Sequence, residues 1–401
     1  MRAPEERRSG LSAVSEIFNR AKEALRNGDY DRAIADFIAV TERHPNNPVV
    51  YANRGIAYFR KGENRSAAAD LERALALEHP DPSGVHTILS TVYGAMEDHL
   101  RAISEADHAL RLDPRRAEAY FNRGCGYACL GELNRAVEDF SGAIRIDPRS
   151  ARAYFNRGTI YNQRGDFDRA IADFDEVLRL DPGNVNAHCN RGFAHTKRGD
   201  FEAAVADFDR ALAIDPSNAD ALINRGIAHF SRGDHRRAFE DYTRAIDLKP
   251  DRSRGYFIRG SAYLAAGDPE RAREDFSRVI EIEPENVEAY VNRGNIRSMS
   301  GDHCGALEDL ARAVALAPDN ARAYYIRGIV YGIVERYDSA KNDLLRAVEL
   351  SPENGSAHYL LGQIYEHLGE AEAARSCFER ARSLGRSEAG EHLDDGGDSG
   401  R

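Results

Sequence analysis

Small and aromatic side chains recur along this chain at helical spacing. In residues 117–150, Tyr120, Gly124 and Tyr127 lie four and three apart, which puts them on one face of a helix. Gly131 ends that helix, because glycine takes the left-handed conformation after a C-cap at little cost. Ala136, Phe140, Ala143 and Ile144 mark a second helix. Asp147-Pro148 terminates it, since proline cannot continue a helix and restricts the residue before it. The same pattern then returns. Gly124 recurs as Gly158, Gly192, Gly226, Gly260, Gly294, Gly328 and Gly362, always 34 residues on, and Pro114 recurs with the same step up to Pro352. A fixed period of this length predicts a stack of two-helix units, each burying its apolar face against its neighbours.

Eleven units are expected: 14–47, 48–82, 83–116, 117–150, 151–184, 185–218, 219–252, 253–286, 287–320, 321–354 and 355–388. The second carries one inserted residue and ends on Pro80-Asp81-Pro82, which predicts a longer connection. The third is degenerate. Ser90 replaces the packing glycine and Glu97 the turn glycine, where a left-handed residue is less comfortable. Glu335 makes the same departure in the tenth unit. Residues 1–13 are charged and aperiodic, and 389–401 are rich in Gly and Asp, so both ends are expected to lack structure.

Composition narrows the partners. Lys and Arg total 55 against 66 Asp and Glu, a net charge of −11, which argues against a nucleic-acid binder. No run of apolar residues is long enough to span a membrane, and the first ten residues have no apolar core of a secretory signal. Five cysteines in no framework fit a reducing, cytoplasmic setting.

Candidate chemistry is sparse. Cys125 and Cys129 share a helix face, but no histidine beside them completes a metal set, and they read as small apolar residues. His195 and His229 take the slot of Tyr127, Tyr161 and Tyr263 and are expected in the core. No nucleophile, base and oxyanion donor assemble, so neither an enzyme nor a cofactor or metal is expected.

Two ladders stand out when each unit is counted from its first residue. Arg holds position 7 in nine units, among them Arg157, Arg191 and Arg225, and Asp holds position 23 in the same nine, as Asp173, Asp207 and Asp241. The two exceptions lack both: Leu89 with Glu105, and Leu361 with Cys377. Across an antiparallel hairpin these positions face each other, which predicts one ion pair per unit. The second ladder is Asn at position 6, unbroken over Asn122, Asn156, Asn190 and Asn224 and returning at Asn292.

The spacing of Tyr120, Gly124, Tyr127, Gly131, Ala136, Phe140, Ala143 and Pro148 resembles the tetratricopeptide repeat over nearly the whole chain. The resemblance implies an all-α, right-handed superhelical solenoid that acts as a protein-interaction scaffold. It also implies that first helices line a concave groove, with positions 2, 5, 6, 9, 12 and 13 pointing into it. Asn122, Asn156, Asn190, Asn224 and Asn292 are then groove residues, flanked by Phe155, Phe193 and Phe230. The run is similar to the asparagine ladder in the repeat domain of O-linked N-acetylglucosamine transferase and in importin-type solenoids. The expected partner is an extended protein or peptide segment, with an assembly adaptor that binds folded partners or self-associates as the alternative. A clamp for chaperone C-terminal carboxylates is not expected. Position 5 is never Lys, and Asn295, the one Asn at position 9, is followed by Ile326.

Overall fold

The computed structural model describes residues 3–390 and His392, with side chains from Val14 on. The expected acidic tail over 389–401 lies outside the described residues, apart from Ala389, Gly390 and His392. Among the described residues there are 22 α-helices, one 3-10 turn and no strand. The first helix begins at Ala3, so it takes in most of the N-terminal segment read as unstructured.

The chain divides into two compact units, Met1–Ile214 and Asp215–Arg401. The first holds α1 (Ala3–Arg26), α2 (Tyr30–Arg43), α3 (Pro48–Lys61), α4 (Asn64–Ala76), α5 (Pro82–Ala95), α6 (His99–Leu112), α7 (Ala117–Cys129), α8 (Leu133–Ile146), α9 (Ala151–Gln163), α10 (Phe167–Leu180), α11 (Val185–Arg198) and α12 (Phe201–Ile214). The second holds α13 (Ala219–Ser231), α14 (His235–Leu248), α15 (Ser253–Ala265), α16 (Pro269–Ile282), α17 (Val287–Met299), α18 (His303–Leu316), α19 (Ala321–Ile333), α20 (Tyr337–Leu350), α21 (Gly355–His367) and α22 (Ala371–Ser383), followed by the 3-10 turn Ser387–Gly390.

Each odd-numbered helix packs on the even-numbered one that follows it. Within a unit, an even helix also packs on the next odd one, and odd helices touch each other, as α5 does α7 and α9 does α11. The odd helices therefore form the tighter side of each stack. Helix starts are written in the sequence. The side chains of Asp98, Asp166 and Asp234 accept hydrogen bonds from the third backbone N–H of α6, α10 and α14. Asn184, Asn286 and Asn320 do the same for α11, α17 and α19. These caps satisfy donors that a helix leaves orphaned.

The core follows the repeat, with one correction. Gly124, Ala136, Phe140 and Ala143 and their counterparts in the later pairs are buried, Phe174 and Phe208 completely. Positions 4 and 11, expected in the core, are mostly half-buried: Tyr120, Tyr127, Tyr154 and Tyr161 all keep an edge in solvent. Their rings instead serve the arginines, and the Arg157 guanidinium lies over both Tyr154 and Tyr161. The apolar slot the sequence reading missed is position 3, where Ala119, Ala153, Ala187 and Ala221 are fully buried. Glu97 and Glu335 keep the left-handed turn of the glycines they replace, at φ 61° and 59°.

Candidate peptide-binding face

The arginine ladder forms a double joint. Arg157 Nε donates to Asp173 Oδ2 at 2.9 Å and Nη2 to Oδ1 at 2.7 Å. Arg191 binds Asp207 in the same fork at 2.9 and 2.6 Å, and Arg225 binds Asp241 likewise at 2.9 and 2.6 Å. Such forks are the strongest form of the carboxylate–guanidinium contact. Each arginine has a further donor, which the sequence reading did not place. Nη1 of Arg157 reaches Ser141 Oγ at 2.8 Å, and Nη1 of Arg191 reaches Asp175 at 2.5 Å. Both acceptors sit at position 25 of the preceding pair, so one guanidinium ties its own hairpin and the one before it. Asp36, beside the more open Arg20, is held below the ordinary carboxylate range by that guanidinium. At Asp173, burial outweighs Arg157 and raises the carboxyl. His188, buried in the Tyr slot, joins the network through Nδ1, 3.1 Å from Asp207 Oδ1.

The asparagine ladder is half-buried at Asn122, Asn156, Asn190 and Asn224. The first three stand on α7, α9 and α11 of the first unit. Their amide donors are engaged internally. Asn122 Nδ2 donates to Thr87 O and Thr91 Oγ1, at 3.1 and 2.9 Å. Asn156 Nδ2 points at Cys125 Sγ, and Asn190 Nδ2 donates to Asn186 O at 2.8 Å. Asn162, which the sequence did not single out, donates to the backbone carbonyl of Asn190 at 3.0 Å and so fixes α9 against α11 behind the rungs. Its Oδ1 is buried without a hydrogen bond.

The middle rung opens onto a cavity of about 410 Å³ lined by Phe121, Cys125, Arg152, Phe155, Asn156 and Asn186 among others. Arg152 lies over the Phe121 ring at 4.2 Å. Burial pushes the Cys125 thiol up to about 11, so it lines the wall as a neutral group. Phe193 on α11 is half-buried, with Lys197 Nζ 5.5 Å from its ring.

In the second unit the predicted residues are less open. Asn224 Oδ1 accepts from Arg254 Nη2 at 3.1 Å. Asn292 is 8 % exposed and accepts from Arg322 Nη2 at 2.8 Å. Both arginines come from position 2 of the next pair and cover the rung. Phe230 sits edge-on against His235 and Phe239. The two histidines split: His229 is buried and His195 half-buried.

A stack of paired helices knitted by a repeated ion-pair joint, with a row of amides on its odd helices, defines a helical-repeat scaffold. Tetratricopeptide-repeat family models match residues 18–84, 127–185, 259–321 and 334–389, with further matches at 158–226 and 219–252. The chain belongs to the tetratricopeptide repeat family, whose members bind protein partners and are generally non-enzymatic. Similar solved structures include a tetratricopeptide repeat protein from Parabacteroides merdae ATCC 43184, 22% identical over 62% of this chain and 97% of that one, with TM-score 0.48. Yeast Tom70 is 18% identical over 96% and 94%, with TM-score 0.48. The APC/C hetero-tetramer Cut9-Hcn1 is 15% identical over 95% and 96%, with TM-score 0.48. Among the described residues no helix is long and apolar enough to cross a membrane.

Proposed function

We propose that the first unit captures an extended peptide segment of a protein partner along α7, α9 and α11. The observation that carries this reading is the cavity at Asn156, the middle of three amides on successive odd helices. No hydrogen bond to Oδ1 of Asn122, Asn156 or Asn190 is formed among the described residues. Each therefore offers an acceptor to a peptide N–H, whatever the side chain of that peptide residue. Phe155 and Phe121 supply apolar wall, and Arg152 gives the cavity a cation, which favours an acidic side chain seated beside it. One hydrogen bond contributes only about 0.5–1.5 kcal/mol, so the rungs act together.

The test is selection of peptides from a random displayed library against the whole chain, followed by affinity measurement and cross-link mapping. An Asn122, Asn156, Asn190→Ala variant is expected to bind the selected peptides at least tenfold more weakly while its circular dichroism is unchanged. Equal affinity in the variant, or cross-links confined to even-numbered helices, overturns groove capture in favour of an adaptor that uses the outer helices.

A further inference from the structure

The α5–α6 pair lacks the arginine joint. Leu89, buried at 1 % exposure, stands in place of the arginine, and Glu105 in place of the aspartate. Glu105 has taken a different partner: its Oε2 is 2.6 Å from His86 Nδ1. His86 stands at the Tyr slot of α5. Glu105 and His108 are three apart on α6 and so share a face. The His86 and His108 rings lie 5.1 Å apart, centroid to centroid. One ligand atom from each of the three residues lies within 4.8 Å of the other two.

We propose that His86, Glu105 and His108 form a site for a divalent transition-metal ion, zinc by its ligand chemistry, that clasps α5 to α6 where the arginine joint is missing. Two imidazoles and a carboxylate are a recognised three-ligand zinc set with a fourth position left for water. Imidazole ligands select zinc, copper or nickel over magnesium and calcium. The donor atoms of a tetrahedral zinc site, with bonds of about 2.0–2.2 Å, are about 3.3–3.5 Å apart. Closing the cluster on an ion therefore asks for side-chain shifts on the order of 1 Å. The rings part slightly, and the cation takes the place of the proton now shared by His86 and Glu105.

A second feature prepares the site. His108 Nδ1 is 2.8 Å from the carbonyl of Ser104, one turn back on its own helix. Donating there fixes the proton on Nδ1 and leaves the Nε2 lone pair for a metal, the arrangement that orients most metal-bound histidines. The side chains of His86 and Glu105 are 17% and 22% exposed, while His108 is open to solvent. Two ligands are therefore held by packing, and the third stands at the entrance.

Zn²⁺ titrated into the full chain, in a phosphine reductant and against a chromophoric chelator, tests this. One equivalent is expected to bind and to raise the unfolding temperature. The His86→Tyr, His108→Ala variant, which restores the tyrosine of the other pairs, is expected to lose that equivalent while keeping its helical spectrum. Glu105→Gln is expected to weaken binding tenfold or more. Co²⁺ in place of Zn²⁺ is expected to show tetrahedral d–d bands without a thiolate charge-transfer band. An affinity for Zn²⁺ equal in the wild type and the double-histidine variant, or a thiolate band that assigns the ion to cysteine, overturns the proposal.

Discussion

At the scale of single residues, the arginine joint and the buried histidine make opposite demands. Arg157 is 19% exposed and Asp173 6%, so removing the carboxylate strands a cation in a poorly hydrated place. Asp173→Ala is expected to cost about 3 kcal/mol, while an Arg157→Met, Asp173→Leu double variant recovers most of that loss. Urea midpoints of the two variants check it. His229 is 5% exposed, and burial depresses its imidazole below the ordinary 6.5. The folded chain then refuses a proton that the unfolded chain accepts. The stability this group supports is complete above about pH 6.5 and declines as the pH falls toward the depressed value. A His229→Tyr variant, with the residue that Tyr263 supplies in the next pair, is expected to lose less stability than wild type between about pH 7.5 and 5.5. The Arg and Asp ladders were legible because identical residues recurred at identical spacing. The third partners, Ser141 and Asp175, were not, since position 25 varies in type, from Ser, Thr and Asp to Ile38, Ala311 and Leu345. The His86–Glu105–His108 cluster was hidden for another reason: its members occur once, on two helices, with no repetition to mark them.

At the scale of the helix pair, close approach and turn geometry decide what each position accepts. A Cβ on Gly226 would sit 2.5 Å from Tyr242 Cε1, well inside contact distance. Gly226→Ala is therefore expected to destabilise the α13–α14 pair by about 1–3 kcal/mol, read from its thermal midpoint. Glu335 runs the other way. It holds φ 59° in a turn where most pairs have glycine, a left-handed conformation that costs a side-chain-bearing residue about 1–2 kcal/mol. Glu335→Gly should raise the midpoint by about 1 kcal/mol equivalent, and an unchanged midpoint would show that local contacts already offset the strain. Pair boundaries were readable from Gly and Pro because these residues act through the backbone alone. The half-buried state of positions 4 and 11 was not. Tyr154 and Tyr161 are apolar enough to read as core, yet their rings are spent flanking a guanidinium. The closure of Asn292 was equally invisible, since it depends on Arg322 reaching across from the following pair.

At the scale of the whole molecule, stability within each unit is a sum of short-range terms, because there each pair touches only its neighbours. Phe140→Ala should cost about 3–5 kcal/mol locally. In hydrogen-exchange mass spectrometry its effect is expected to be largest in α7–α10 and to fade toward α1. Uniform loss of protection across the first unit would contradict nearest-neighbour behaviour. The arginine joint bears on how such a chain can change its length. The joint is handed: Arg123, Arg157, Arg191, Arg259 and Arg293 each reach back with Nη1 to the pair before, and the acceptor there is a hydroxyl or carboxylate oxygen at position 25. A 34-residue stretch such as 117–150, with Arg123 and Ser141, or 253–286, with Arg259 and Ser277, thus carries both plug and socket. Duplicated or excised in register, such a stretch leaves matching couplings on both sides of the seam, so gene-level unequal exchange can lengthen or shorten the array without designing a new junction. That interchangeability lapses at the α5–α6 pair, with a leucine for its plug, and at α17–α18 and α19–α20, where Ala311 and Leu345 leave no socket.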